Sequence, residues 1–169
     1  MPPLDPISVE TQNEEDARHL WAGMAAGLIG SVIMLLVLTL NTALDGVGFW
    51  LPVRVSAALF MGVRAIVGGP GSLLLGVVIH LLVGGVLGGI FAVLLGDRRP
   101  GALVILLGIA YSLAILLAMT FIVLPAVNPV MAARVRVIPW TWLLAHVVYG
   151  VCLALTPLLV THAPERKLI

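Results

Sequence analysis

The apolar segments of this chain contain two histidines, whose residue type and spacing could support binding or proton transfer. His80 and His146 each stand four residues before a glycine, Gly84 and Gly150. Residues four apart share one face of a helix, so each glycine opens a notch beside an imidazole. Histidine titrates near neutral pH and its ring nitrogens bind metals and polar groups. The pair therefore indicates proton, quinone or small-ligand handling, or axial ligation of a haem iron.

Two tyrosines extend this candidate site. Tyr149 follows His146 by three residues, and Tyr111 comes from a different apolar segment. We predict a ligand-binding set with no catalytic residue and no resident metal, made of His80, His146, Gly84, Gly150, Tyr111 and Tyr149. The alternative is that the histidines only bridge helices, through Ser31, Ser112, Tyr111 or backbone carbonyls, because buried polar groups are usually hydrogen-bonded.

A b-type haem is the alternative cofactor, and it would make the protein an electron carrier. If their two helices run in the same direction, His80 and His146 lie at a similar depth, which suits the two axial ligands of a haem. Arginines in the connections on the nearer side could meet the haem propionates; they are Arg54, Arg64, Arg134 and Arg136. The sequence otherwise names no cofactor.

The elements that position these residues are long apolar helices. Of the 169 residues, 61% are hydrophobic and 10% are charged, and the mean hydropathy is +1.17. Such a surface cannot face water, so the solvent is lipid. Segments 21–44, 72–95, 102–126 and 139–160 approach or exceed the roughly 20 apolar residues that cross a bilayer. We predict an all-α integral membrane protein with four transmembrane helices.

The connections predict the domain organisation. A polar N-terminal tail (1–20) precedes a single transmembrane domain (21–161), and a short polar tail (162–169) follows it. The first tail lacks the apolar core of a cleavable signal. Residues 52–67 predict a short interfacial helix with its arginines extended toward headgroups, and a shallow re-entrant segment is the alternative. The charged turn 96–101 predicts that the second and third spans are antiparallel neighbours.

An internal repeat relates the two halves of the chain. Residues 30–36 align without a gap with 111–117, and residues 80–84 align with 146–150. The matched positions include Ser31 with Ser112, Thr39 with Thr120, and His80 with His146. Because matched helices run in the same direction, the pattern predicts two parallel helix-pair repeats about an axis along the membrane normal.

Charges, tryptophans and glycines predict orientation and partners. Arg98 and Arg99 in the tightest loop favour both termini in the cytoplasm, and the tryptophans at positions 50, 140 and 142 predict an aromatic belt on the other side. Glycines spaced by four on the first and second spans favour close helix packing, within the chain or in a homodimer. The net charge of +1, without a basic stripe, excludes a nucleic-acid partner.

The absence of several sequence motifs limits the classes of function that we expect. The sequence has no nucleophile motif, phosphate loop or metal cluster, and its spans have too few polar residues to line a channel. We therefore expect a non-enzymatic membrane protein, either an accessory subunit of other membrane proteins or a small-ligand-binding bundle.

The paired His-x-x-x-Gly helices, the form His146-Val147-Val148-Tyr149-Gly150 and the four-helix length resemble small uncharacterised bacterial inner-membrane proteins, similar in layout to the YagU-like family. The resemblance covers residues 21–160. It implies a bacterial inner-membrane location and this helical layout, and it implies no activity.

Overall fold

The computed structural model describes residues 6–96 and 101–161, and every regular element in these ranges is helical. Four helical stretches are long and apolar enough to cross a membrane: Gln12–Leu44, Pro70–Leu95, Ala102–Val127 and Pro139–Val160. They coincide with the four predicted spans, so the all-α fold and its four membrane-length helices are confirmed.

In chain order the helices are α1 (Pro6–Leu44), α2 (Leu51–Met61), α3 (Arg64–Val67), α4 (Pro70–Leu95), α5 (Ala102–Ala118), a π-helical segment (Met119–Val123), α6 (Leu124–Val127), α7 (Pro129–Val137), α8 (Pro139–Leu153) and α9 (Thr156–Thr161). Proline is the first residue of α4, α7 and α8. The missing N–H of proline costs nothing there, because the first N–H groups of a helix have no intrahelical partner.

The first helix is longer than its apolar segment. Helix α1 begins at Pro6, so the polar residues 6–20, which we expected as a tail, continue the first span as helix. Glu15 and Arg18 pair on this extension at 3.9 Å. Of the other predicted connections, residues 1–5, 97–100 and 162–169 lie outside the described residues.

Glycines bring α1 and α4 into close contact. Gly23 and Gly27 face Gly84 and Gly88, and a Cβ atom on Gly27 would lie 2.9 Å from the Cα atom of Gly88. Carbon atoms do not approach so closely without repulsion, since their optimal separation is about 3.5–4.0 Å. The glycines spaced by four therefore pack two helices of the same chain.

A second close crossing joins α5 to α8. Gly108 and Gly150 lie against each other's helices, and a Cβ atom on Gly150 would lie 2.6 Å from the Cα atom of Ile109. Helix α1 also packs against α8, where Gly30 lies beside the ring of Tyr149. Helix α1 is therefore the central helix, in contact with both α4 and α8.

Helices α4 and α5 follow one another in the chain but hardly touch. The two helices are thus adjacent but make few contacts, because α4 turns its glycine face to α1 while α5 turns Gly108 to α8. Their main link is Tyr111, whose hydroxyl donates to the Leu87 carbonyl at 2.9 Å. The ring of Tyr111 also lies 5.3 Å from that of Phe91, between centroids.

The segment predicted as one interfacial helix forms two short helices, α2 and α3. Helix α2 packs against α4, where a Cβ atom on Gly76 would lie 2.8 Å from the carbonyl carbon of Val53. Arg54 does not extend freely as expected, because its Nη1 donates to the Ile66 carbonyl at 2.8 Å and ties α2 to α3. Arg64 is exposed.

Asn128 joins α7 to α2. Its Nδ2 donates to the Val55 carbonyl at 2.9 Å, and its Oδ1 accepts from the Met131 N–H at 3.1 Å, which caps the N-terminus of α7. Helices α2 and α7 are thereby held together at the end of the bundle where α4 and α8 begin.

Candidate functional site

A cavity of about 250 Å³ lies between α4 and α5. Residues of α1 and α8 complete its walls, and residues of α2, α6 and α7 line one end. Most of the lining side chains are aliphatic or methionine, and none of the lining residues in the described part of the chain is Asp, Glu, Lys or Arg. The cavity is therefore an uncharged, mainly apolar space between the helices.

His80 lines this cavity and reaches across to α1. Its Nε2 lies 3.2 Å from the Ser31 carbonyl oxygen. Because a carbonyl only accepts, the neutral ring carries its hydrogen on Nε2, and its Nδ1 is an acceptor. The Ser31 hydroxyl donates within its own helix, to the Gly27 carbonyl at 2.8 Å. His80 thus bridges two helices, as the structural alternative expected.

His146 lines the same cavity but is held by its own helix. Its Nδ1 donates to the Trp142 carbonyl at 2.8 Å, which leaves Nε2 as an acceptor. The link to α5 uses the backbone instead, since the Ser112 hydroxyl donates to the His146 carbonyl at 2.8 Å. The two histidines therefore line one cavity and bind backbone carbonyls through different ring nitrogens, His80 through Nε2 and His146 through Nδ1.

Tyr149 is the third predicted site residue on the cavity wall. Its hydroxyl is buried and donates to the Gly84 carbonyl at 2.6 Å, which ties α8 to α4. Gly84 also lines the cavity, together with both histidines. The structure thus brings four of the six predicted residues to one space.

Gly150 and Tyr111 are not among the residues that line the cavity. The notch at Gly150 is filled by the backbone of Gly108 and Ile109, and Tyr111 lies on the link to Leu87. The notch at Gly84 is filled in the same way, by Ser31. These glycines therefore admit a neighbouring helix, which was one of the possibilities that the sequence left open.

Trp142 is a cavity residue that the sequence analysis assigned to the aromatic belt. It is 3% exposed and lines the cavity, whereas Trp140 is 78% exposed and Trp50 is 49% exposed. At 3.6 residues per turn, positions 140 and 142 point in nearly opposite directions, so they cannot both face outward. The Nε1 atom of Trp142 is buried and has no hydrogen-bond partner among the described residues.

Thr120 is a second cavity residue that the sequence analysis did not place in the site. It is 7% exposed, and its Oγ1 has no hydrogen-bond partner within the described chain. Thr39, its counterpart in the predicted repeat, donates instead to the Leu36 carbonyl at 3.1 Å. The two threonines therefore differ, and the unpaired one is on the cavity wall.

The backbone around Thr120 is distorted. Thr120 lies in the π-helical segment Met119–Val123. Pro125 follows two residues later, and a proline has no N–H and clashes with the carbonyl four residues before it, here that of Phe121. Such π turns are rare and are frequent at functional sites. The proline is thus a sequence signal for the local geometry that presents Thr120.

Residues 17–168 match a family of unknown function, DUF6789. The chain belongs to this family. The matched range contains almost the whole helical bundle and every residue of the cavity. Neither the curated proteins nor the solved structures include a match to the chain.

The cavity of this DUF6789 protein does not fit the haem alternative. An engineered cavity of roughly 150 Å³ holds one benzene ring, so a cavity of about 250 Å³ is too small for a macrocycle of four pyrrole rings. The Nε2 atom of His80 is engaged with the Ser31 carbonyl oxygen. Arg54, expected near a propionate, binds the Ile66 carbonyl.

Proposed function

We propose that this protein binds a small, uncharged, mainly apolar molecule inside the membrane, in the cavity between α4 and α5. One observation carries the proposal: Trp142 and Thr120, whose buried Nε1 and Oγ1 atoms have no hydrogen-bond partner in the described part of the chain, line the same cavity as His80 and His146. A buried polar group without a partner costs about 1–3 kcal/mol. A ligand with a polar group there would recover part of that cost.

Binding is proposed in preference to catalysis. In the described ranges no group of three or more His, Cys, Asp or Glu residues could hold a metal ion, and no carboxylate lines the cavity wall. The histidines are engaged with backbone carbonyls, which suits a neutral binding wall. A role as an accessory subunit of a larger membrane complex stays a prediction.

We also propose the placement of the bundle in a bacterial inner membrane, with both termini in the cytoplasm. Helices α2, α3 and α7 would lie at the opposite interface, a position supported by the exposed arginines Arg64 and Arg136 and by the outward-facing Trp50 and Trp140. The layout similarity to the YagU-like family belongs to the same proposal.

The two helix pairs are proposed to be parallel repeats. The gap-free alignment of the first and third spans also matches Gly27 with Gly108, and that of the second and fourth matches Gly84 with Gly150. Gly27 and Gly84 meet at the α1–α4 crossing, and Gly108 and Gly150 meet at the α5–α8 crossing. The use of aligned glycines at both crossings supports the repeat.

A variant that fills the cavity tests ligand binding. Leu116 lines the cavity, whereas its neighbour Leu117 is 58% exposed on the outer surface. Leu116→Trp should abolish binding of an apolar probe, decyltrimethylbenzene, as followed by native mass spectrometry of the detergent-solubilised protein. Leu117→Trp, which adds the same volume on the outside, should bind the probe like the unmodified chain.

Equal binding by the two tryptophan variants would contradict the proposed site. Because overpacking can destabilise a protein by about 1–3 kcal/mol, helicity by circular dichroism and elution on size-exclusion chromatography are compared first. A second variant, Ile115→Phe, adds less volume to the same wall and should weaken binding without abolishing it.

A further inference from the structure

We propose that the ligand is a single-ring quinone or its quinol, whose ring lies in the cavity and whose tail passes between α4 and α5 into the bilayer. This inference rests on the proposed function and specifies its ligand. The size, the charge and the polar groups of the cavity support it.

Size limits the ligand to about one substituted ring. The cavity of about 250 Å³ exceeds the roughly 150 Å³ that holds a benzene ring, and it leaves room for ring substituents. A long tail does not fit inside in addition. Since α4 and α5 touch at few positions, and the cavity lies between them, the tail has a lateral route to the lipid.

Charge excludes fatty acids and other anions. A carboxylate buried at membrane depth requires a cation or several donors, and none of the described residues that line the cavity is Lys or Arg. A quinone and a quinol are both uncharged. Neither form therefore needs a charged partner in the cavity.

The unpaired polar groups match oxygens on a ring. Trp142 Nε1–H is only a donor, so it selects an acceptor such as a quinone carbonyl. His146 lies one turn further along α8, and its Nε2 is an acceptor that suits a quinol hydroxyl. Thr120 comes from a different helix and can donate or accept, so it can bind a second ligand oxygen. A pure hydrocarbon would leave Trp142 and Thr120 without partners.

Methionines favour a flat, unsaturated ring over a saturated one. Met34, Met119 and Met131 all line the cavity. Thioether sulfurs make favourable contacts with aromatic rings and the flexible side chains adapt to ring substituents. Three methionines around one small space therefore suit a conjugated ring with methyl or methoxy groups.

A matched pair of ligands tests the inference. Decyltrimethylbenzoquinone and decyltrimethylbenzene have the same tail and methyl groups and differ in the two carbonyls. The quinone ring carries no hydrogen, which prevents addition of a thiol such as that of Cys152. In native mass spectrometry titrations the quinone should bind more tightly than the hydrocarbon. Thr120→Val should weaken quinone binding about threefold to tenfold, the equivalent of one hydrogen bond, and leave hydrocarbon binding unchanged.

Two further variants serve as controls for folding and for threonine loss in general. Thr120→Ser keeps the hydroxyl and should retain quinone binding. Thr42→Val removes a buried hydroxyl that donates within α1, to the Leu38 carbonyl at 2.9 Å, and Thr42 does not line the cavity. Quinone binding should therefore be unaffected in Thr42→Val.

The outcomes separate this inference from the proposed function. Equal affinity for both ligands, or an unchanged quinone affinity in Thr120→Val, would overturn the quinone assignment and leave apolar binding in the cavity intact. If neither ligand binds the unmodified chain, both proposals fail. Quinone binding that is tighter than hydrocarbon binding, weaker in Thr120→Val and retained in Thr120→Ser supports both proposals.

Discussion

Replacing Gly88 with alanine should separate α1 from α4 and destabilise the bundle. The new Cβ atom would lie 2.7 Å from the Cα atom of Gly27 and 2.9 Å from its nitrogen. Since carbon atoms pack at about 3.5–4.0 Å, the two backbones must move apart by roughly 1 Å. Both contacts are to backbone atoms, so no side-chain rotation can relieve them.

The expected cost is about 1–3 kcal/mol, the usual range for overpacking. Alanine favours a helix over glycine in water by about 1 kcal/mol. That gain is largely absent here, because a span in lipid must already satisfy its backbone hydrogen bonds as a helix before the bundle assembles. The overpacking cost is therefore not offset.

Gly85→Ala is the matched control on the same helix. Its Cβ atom would lie 3.4 Å from the side chain of Leu28, an ordinary contact that a flexible side chain can adjust, so a change within about 0.5 kcal/mol is expected. Unfolding by sodium dodecyl sulfate in mixed micelles, followed by tryptophan fluorescence, gives both values. Unchanged stability of Gly88→Ala, or equal losses in the two variants, would refute the close crossing.

Three other predictions concern single contacts and orientation. Tyr149→Phe should lose about 0.5–1.5 kcal/mol in the same unfolding assay, because its hydroxyl bond to the Gly84 carbonyl disappears; an unchanged midpoint would argue against that bond. Asn128→Ser, which can still cap α7 but is too short to reach Val55, should lose less stability than Asn128→Ala by about 0.5–2 kcal/mol, and equal losses would exclude the cap. A fluorescent reporter fused after the last residue should be active and an alkaline phosphatase fusion inactive if the C-terminus is cytoplasmic; the reverse result would invert the orientation.

The membrane-length helices could be predicted from the sequence because their length and apolar content leave no other fold class in lipid. The lateral order of the helices could not. A tight turn determines only that α4 and α5 are consecutive, whereas contact depends on which faces allow backbones to approach. The glycines at positions 84 and 88 turn α4 toward α1, and Gly108 turns α5 toward α8.

Features of the site that depend on spacing within one helix could be predicted from the sequence. Features that depend on contacts between several helices could not. His80 and His146 occupy equivalent positions in their helices, which the sequence alone reveals, and both line the cavity. Spacing along a helix identifies a face but not the neighbour that covers it, so the contact of Gly150 with Gly108 could not be foreseen. The inward face of Trp142 could have been derived from the outward position of Trp140, two residues earlier.

The central position of α1 has a consequence for the order of assembly during synthesis. Helix α1 is synthesised before the helices that pack against it. The Ser31 carbonyl, for example, accepts from His80, which is 49 residues later in the chain. The hydroxyls of Ser31 and Thr42 donate to carbonyls of their own helix. Helix α1 can therefore be inserted alone with its buried hydroxyls already satisfied, and α4 and α8 can then dock against a surface that needs no rearrangement.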